Sequence, residues 1–362
     1  MAVSKETVVT TAKGALGELG SISDALVLGG DVTVTISAKE RVVAADKVRV
    51  ALRGLEGVAN VDVRFAEAPA SRAIAEGDLL PNVKNVIFVM SGKGGVGKST
   101  VATNLTMALK RAGHRVGLLD ADIYGPSIPT MLGVEGRPFS VDGQRIEPIE
   151  RFGVKLMSIG FLLEDPKAAV IWRGPMLHGA LLQFLKDVNW GDLDFLVLDL
   201  PPGTGDIALT LSQRVKPTGA VIVTTPQNVA TDDVFKSVSM CQKVNIPILG
   251  VVENMSYFID TAGVRHELFG KGGGAAVAEF SKSELLGQLP IDTTVREWGD
   301  KGTPVTQALP SSAIAQAFVS VAERLVDVVD RRNAEGTSSE TEGPIIDRSG
   351  GAGRKRLNVV GG

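Results

Sequence analysis

Ten consecutive residues, Ser91-Gly92-Lys93-Gly94-Gly95-Val96-Gly97-Lys98-Ser99-Thr100, have the types and spacing to do chemistry. From Gly92 to Ser99 they satisfy the pattern G-x-x-x-x-G-K-[ST]. Glycines let a backbone curl until several N–H groups face one anion. A helix beginning near Lys98 adds the positive end of its dipole. Lys98 offers a mobile charge to the outer phosphates of a nucleotide, and the Ser99 hydroxyl is a Mg²⁺ ligand. Residues Gly92, Lys93, Gly94, Gly95, Val96, Gly97, Lys98, Ser99 and Thr100 are therefore the expected cradle for ATP. Lys93 is unusual, because Lys98 already serves the bound phosphates. Across a dimer interface it could contact the partner's nucleotide, as an arginine finger does. Its plainer alternative is a solvated lysine on the rim of the loop.

Two further stretches end in carboxylates. Arg115-Val-Gly-Leu-Leu-Asp120-Ala-Asp122 reads as a strand whose two acids, two residues apart, face one side. Asp122 there can hold Mg²⁺ through water or orient the water that attacks a γ-phosphate. Leu193-Asp-Phe-Leu-Val-Leu-Asp199 is an apolar strand with Asp199 at the position that reaches Mg²⁺ through water. After Pro201-Pro202, Gly203 can bring a backbone N–H to the γ-phosphate, and Asp206 either moves with that loop or caps the next helix. Asn254 ends a later strand, where its amide can read adenine with donor and acceptor together.

These residues need a scaffold. Val86 to Met90 reads as a buried strand, and Val101, Leu105, Ala108 and Leu109 lie on one helical face. Short apolar runs at 115–120, 195–199, 220–224 and 248–252 alternate with helical or loop stretches. That is the signature of a mostly parallel sheet covered by helices on both faces, an α/β fold. Residues 1–66 read as a small α+β domain, with helices near 7–19 and 42–52 and strands at 31–37 and 58–65. Residues 67–84 read as a linker, 85–332 as the ATPase domain and 333–362 as a disordered tail. The last helix, 313–330, puts Ile314, Phe318, Val321, Leu325 and Val328 on one stripe.

Composition narrows the class. A net charge of −3 and a pI near 5.8 argue against a nucleic-acid partner. A single cysteine, Cys241, excludes a disulfide framework and fits a reducing compartment. It shares a helical face with Val234 and Val238, which points to a buried structural thiol. No signal-peptide core and no apolar run of about 18 residues is present, so a cytoplasmic protein without stable membrane association is expected.

The motifs together resemble the Mrp/ApbC family of deviant P-loop ATPases, in the MinD/ParA-like class. The resemblance is carried by Gly-Lys-Gly-Gly-Val-Gly-Lys-Ser from Gly92, Asp-Ala-Asp-Ile-Tyr-Gly-Pro-Ser from Asp120 and Trp-Arg-Gly-Pro-Met from Trp172. Asp-Leu-Pro-Pro-Gly-Thr-Gly-Asp from Asp199, Thr-Thr-Pro-Gln from Thr224 and Glu-Asn-Met-Ser-Tyr-Phe from Glu253 complete it. It implies a P-loop fold and a slow, Mg²⁺-dependent, homodimeric ATPase that carries iron–sulfur clusters to apoproteins, with apo iron–sulfur proteins or assembly factors as partners. It also implies that Lys93 is the family's signature lysine, and residues 1–66 look like a diverged copy of a small iron–sulfur-assembly domain. Many family members carry Cys-x-x-Cys shortly after the Tyr-Phe. Here that stretch is Tyr257-Phe258-Ile259-Asp260-Thr261-Ala262-Gly263-Val264-Arg265-His266, with no cysteine and hence no identified cluster ligand. His114, His178 and His266 have no ligand spacing with Cys241. The expectation is weak cluster binding, or binding with ligands lent by a partner or a small thiol. Two alternatives compete: a nucleotide-switched positioning or partitioning ATPase at a membrane or DNA, and an ATP-dependent adaptor that never holds the cluster.

Overall fold

The computed structural model describes residues 3–38, 40–66, 70–140, 145–162, 174–203 and 205–336. In chain order the small N-terminal unit comprises α1 (Lys5–Leu16), β1 (Gly20–Leu28), β2 (Asp31–Ala38), α2 (Arg41–Arg53) and β3 (Asn60–Phe65). The Ser4 side chain caps α1 by accepting from the Thr7 N–H. In the three-stranded sheet, β2 is central, antiparallel to β1 and parallel to β3. Val32, Val34, Ile36 and Val63 on one face meet Val8, Ala12 and Leu16 of α1 and Ala44, Ala45, Val48 and Leu52 of α2. Strand β1 is absent from the pattern the sequence suggests. A register shift between Ile22 and Asp24 breaks its alternation.

The larger unit begins with β4 (Val83–Ser91), α3 (Lys98–Arg111), β5 (Val116–Asp120), α4 (Ile128–Met131), β6 (Ile149–Arg151) and β7 (Val154–Ser158). It continues with α5 (Gly174–Asp187), β8 (Leu193–Asp199), α6 (Gly205–Ser212), β9 (Gly219–Thr224), α7 (Asn228–Lys243) and β10 (Ile248–Glu253). A hairpin of β11 (Phe258–Ile259) and β12 (Arg265–His266) follows, then α8 (Gly273–Ser281), β13 (Glu284–Gln288), α9 (Thr293–Asp300), α10 (Val305–Ala308) and α11 (Ala313–Gly336). Eight strands form one sheet in the order β13-β10-β9-β4-β8-β5-β7-β6. Every pairing in it is parallel except β6 with β7. The central strands are buried almost throughout and mostly apolar because helices cover both faces. Helix α3 is buried over almost its whole length, Val101 to Leu109, since α10 and α11 cover the side turned from the sheet.

The expected edges of the ATPase domain, 85 and 332, each fall inside an element, β4 and α11. Helix α11 carries the chain through Asn333 to Gly336, so the first residues of the expected tail are helical; 337–362 lie outside the described residues. The expected linker is fastened where it is described. The buried Arg72 guanidinium pairs with Asp78 and donates to the carbonyls of Leu80 and Lys216. The Ala70 carbonyl accepts from both Asn85 and Asn333. The small unit sits on the C-terminal end of α3. Asp46 pairs with Arg111 and Arg49, and Arg49 donates to the Arg111 carbonyl at 2.8 Å. Gly113 is required by this contact, because a Cβ there would lie 2.8 Å from the Phe65 ring.

Candidate nucleotide site

The loop leaves β4 at the centre of the sheet, at the carboxyl ends of the strands. Open parallel sheets bind ligands there. Two glycines are dictated by neighbours. A Cβ on Gly92 would stand 2.4 Å from the Val234 backbone nitrogen of α7. Gly97 has a left-handed φ of 81°, and a Cβ there would stand 2.2 Å from the Asn254 amide nitrogen. The loop is thus pressed between α7 and the end of β10. Asn254 braces it further by donating to the Val96 carbonyl at 2.9 Å.

Lys98, the first residue of α3, turns its ammonium inward. Its Nζ lies 2.7 Å from Asp199 Oδ1, 3.1 Å from Asp122 Oδ2 and 3.4 Å from Ser99 Oγ. Strand pairing explains the meeting. Asp199 ends β8, the neighbour of β4, and Asp120 ends β5, the neighbour of β8, directly opposite Asp199. Lys98, Asp120, Asp122 and Asp199 are buried, and Ser99 is half-buried. Burial pushes the Asp199 carboxyl up from the usual range, against the pull of Lys98. Asp199 Oδ2 is buried without a hydrogen-bond partner among the described residues. A buried carboxylate oxygen without a donor is costly unless a cation or water takes it. That oxygen and the Ser99 hydroxyl are hard donors of the kind Mg²⁺ prefers, so the residues present fit the metal.

The structure separates the two acids of the Asp-Ala-Asp stretch. The expectation that both face the phosphates fails, because β5 ends at Asp120 and Asp122 belongs to the following loop. A period of two holds only along a strand. Asp122 reaches Lys98, whereas Asp120 faces Ser158 and the backbone N–H groups of Asp122 and Ile128. Burial, then the charge of Asp199, raise its carboxyl pKa. Gly203 also differs from expectation: its N–H donates to the Ser91 carbonyl at 3.1 Å, so the donor is engaged by the start of the loop itself. Lys93 is half-buried and, among the described residues, makes no ion pair. Asp206 lies in the first turn of α6, a place favoured by the helix dipole. Trp172, Arg173 and Thr204 lie outside the described residues.

A cleft of about 1220 Å³ opens beside the loop, with Gly97, Thr100, Tyr124, Asn254, Ile291 and Asp292 among its walls. It exceeds the roughly 300–1,000 Å³ of ordinary ligand pockets, so a nucleoside fits. The contribution of Tyr124, Ile291 and Asp292 was not legible in the sequence, because no pattern there signals it.

No cluster of three or more His, Cys, Asp or Glu side chains suited to a metal ion occurs among the described residues. Cys241 is buried beside Val234 and Val238, and burial pushes its thiol up to about 11. It cannot serve as a ready thiolate. The stretch without cysteines is a closed hairpin. Asp260 accepts from the N–H groups of Ala262 and Val264 and meets His266 Nε2 at 2.7 Å. No helix among the described residues is long and apolar enough to cross a membrane.

Residues 82–326 match the family described as ParA, the NUBPL iron-transfer P-loop NTPases. The iron–sulfur cluster carrier protein of Aquifex aeolicus is 54% identical over 258 residues, covering 70% of each chain. That of Synechocystis is 45% identical over 326 residues, 87% of this chain and 92% of the other. Among solved structures, a nucleotide-binding protein of Archaeoglobus fulgidus in complex with ADP is 42% identical, with a TM-score of 0.55 over 64% of this chain and 92% of that one. The septum site-determining protein MinD of Pyrococcus horikoshii, 24% identical with a TM-score of 0.51 over 68% and 98%, shares the fold. The buried Lys98 site on a parallel sheet and these matches agree: the chain belongs to the ParA-type iron-transfer P-loop NTPases, the Mrp/ApbC family.

Proposed function

We propose that the protein is a Mg²⁺-dependent ATPase that works as a homodimer and assists the transfer of iron–sulfur clusters to apoproteins. The observation that carries the reading is the Lys98 ammonium held between Asp122 and Asp199, with the second Asp199 oxygen unpartnered. The N–H groups from Gly92 to Thr100 receive the phosphates, with Gly94, Gly95 and Val96 at the turn. Lys98 exchanges its carboxylates for phosphate oxygens. Ser99 directly and Asp199 through water would hold Mg²⁺, which would supply positive charge to the phosphates during turnover. Asp122, freed from Lys98, orients the attacking water. Gly203 gives up the Ser91 carbonyl to meet the γ-phosphate, and Asn254 reads adenine from the wall of the cleft.

Dimerisation is supported by the exposed apolar side chains Tyr124, Leu162, Met176, Ile259 and Leu268, which follow the carboxyl ends of β5, β7 and β10 on the loop's own side of the sheet. Lys93 then acts on the partner's nucleotide. The cluster is cargo. This chain offers it no accessible thiolate among the described residues, so the ligands come from the acceptor, a partner or a small thiol. The partitioning alternative is not favoured. The carrier proteins are the relatives that match at 45–54% identity, and the polar residues of α11 mix Glu323, Asp327 and Asp330 with Arg324, Arg331 and Arg332 instead of forming a uniformly basic face. Phosphate release from ATP is the direct test. It is expected to be slow, to require Mg²⁺ and to stop in EDTA. Turnover that survives EDTA, or none with Mg²⁺, rejects the reading.

A further inference from the structure

We propose that Ser158 is a positioning residue for hydrolysis: through the buried Asp120 carboxylate it fixes the loop that presents Asp122. The proposal rests on the reading that Asp122 orients the attacking water.

Asp120 is fully buried and makes no contact with Lys98 within hydrogen-bond distance. Its oxygens are spent elsewhere. Oδ1 accepts from the Asp122 N–H at 3.2 Å, and Oδ2 accepts from the Ile128 N–H at 3.3 Å and from the Ser158 hydroxyl at 3.0 Å. Asp122 and Ile128 stand at the two ends of the segment between β5 and α4. One carboxylate therefore closes that loop like a clasp, and Ser158 is its only side-chain donor among the described residues.

Ser158 can play this part because of register. It ends β7 directly opposite Asp120 at the end of β5. Its Oγ also accepts from the Gly160 N–H at 3.0 Å, which fixes the hydroxyl. The turn it braces lies against the loop: a Cβ on Gly160 would sit 3.1 Å from Pro126 Cβ. The consequence reaches the site in one step. The Asp122 backbone is held by Asp120, and its side chain meets Lys98 with Oδ2 while Oδ1 accepts from the Tyr124 N–H. Loss of the hydroxyl leaves a buried carboxylate with one donor fewer, beside the charge of Asp199. The clasp loosens, and the aim of Asp122 is lost while the phosphate cradle, on β4 and α3, is untouched.

Ser158→Ala is expected to lower kcat about three- to tenfold, the worth of one buried hydrogen bond. ADP affinity is expected to stay within about twofold, because the cradle is unchanged. Amide exchange of residues 121–128 is expected to quicken. Ser158→Thr keeps the hydroxyl and restores most of the rate. Ser158→Ala combined with Asp120→Asn is expected to be no slower than Asp120→Asn alone, since both act through one carboxylate. An unchanged kcat, or a loss of Tm and ADP affinity with kcat preserved, overturns the proposal. So does unchanged exchange in the loop, a readout that needs no turnover. Wild-type protein without ATPase activity, by contrast, sinks the hydrolase reading itself.

Discussion

Lys98→Ala is expected to bind ATP and ADP too weakly to saturate and to lower turnover by at least about 10²–10³-fold, the usual cost of one preorganised charge-stabilising donor. The effect follows from the charges gathered at the site. One ammonium there faces two carboxylates, and a third, Asp120, is buried behind them. Removing the ammonium leaves carboxylates within a few ångströms of each other and of the incoming phosphates. Breaking a buried pair by deleting one partner costs about 3–5 kcal/mol. The variant should therefore also unfold at a lower temperature. Titration with nucleotide and phosphate release measure the effect, and full affinity with full turnover would show that the site is misassigned.

Lys93→Ala separates binding from turnover. The Lys93 ammonium makes no ion pair or hydrogen bond among the described residues; the residue's contact with the loop is through its backbone carbonyl, which accepts from the Ser91 hydroxyl. The variant should keep nucleotide affinity within a few-fold and lose turnover by about 10³-fold or more, as removal of a trans-supplied cation does. Mixing gives a sharper result. A Lys93→Ala subunit has an intact Lys98, and a Lys98→Ala subunit has an intact Lys93. Neither turns over alone, yet their heterodimer holds one complete site. Mixed subunits should recover part of the wild-type rate, and turnover per wild-type chain should rise with protein concentration. Absence of recovery, with dimers formed, would refute the trans role.

Much of this site was legible because its residues are close in sequence or end apolar strands. Gly92 to Thr100 is contiguous, and Asp199 follows an uninterrupted buried strand, so the strand–loop–helix context could be read directly. The parallel sheet was legible for the same reason: its inner strands are apolar on both faces. What the sequence withheld is set by contacts between distant positions. The divergence of Asp120 from Asp122 depends on where β5 ends and on Ser158, 38 positions away. The fastening of 70–82 depends on Asn85 and Asn333 at the Ala70 carbonyl and on Lys216 at Arg72, which no local pattern couples. Strand β1 is interrupted by a bulge, and β13 is short and carries Gly287 beneath Val321 of α11. Asn254 was expected on adenine; in the structure its amide donates to the Val96 carbonyl, a contact between distant positions. The missing thiols were plain in the sequence, and burial of Cys241 removes the last one from consideration.

Under the proposed function, nucleotide turnover at Lys98 drives delivery of a cluster this chain does not ligate alone. The most direct measurement offers an iron–sulfur cluster, held by a small thiol under anaerobic conditions, to an apo iron–sulfur acceptor. Recovery of the acceptor's absorption is followed, with iron counted on both proteins. Wild-type protein with MgATP is expected to speed recovery, Lys98→Ala is not, and iron on the carrier stays well below one cluster per dimer. A stable stoichiometric cluster on the carrier, or delivery equally fast with Lys98→Ala, would contradict the account.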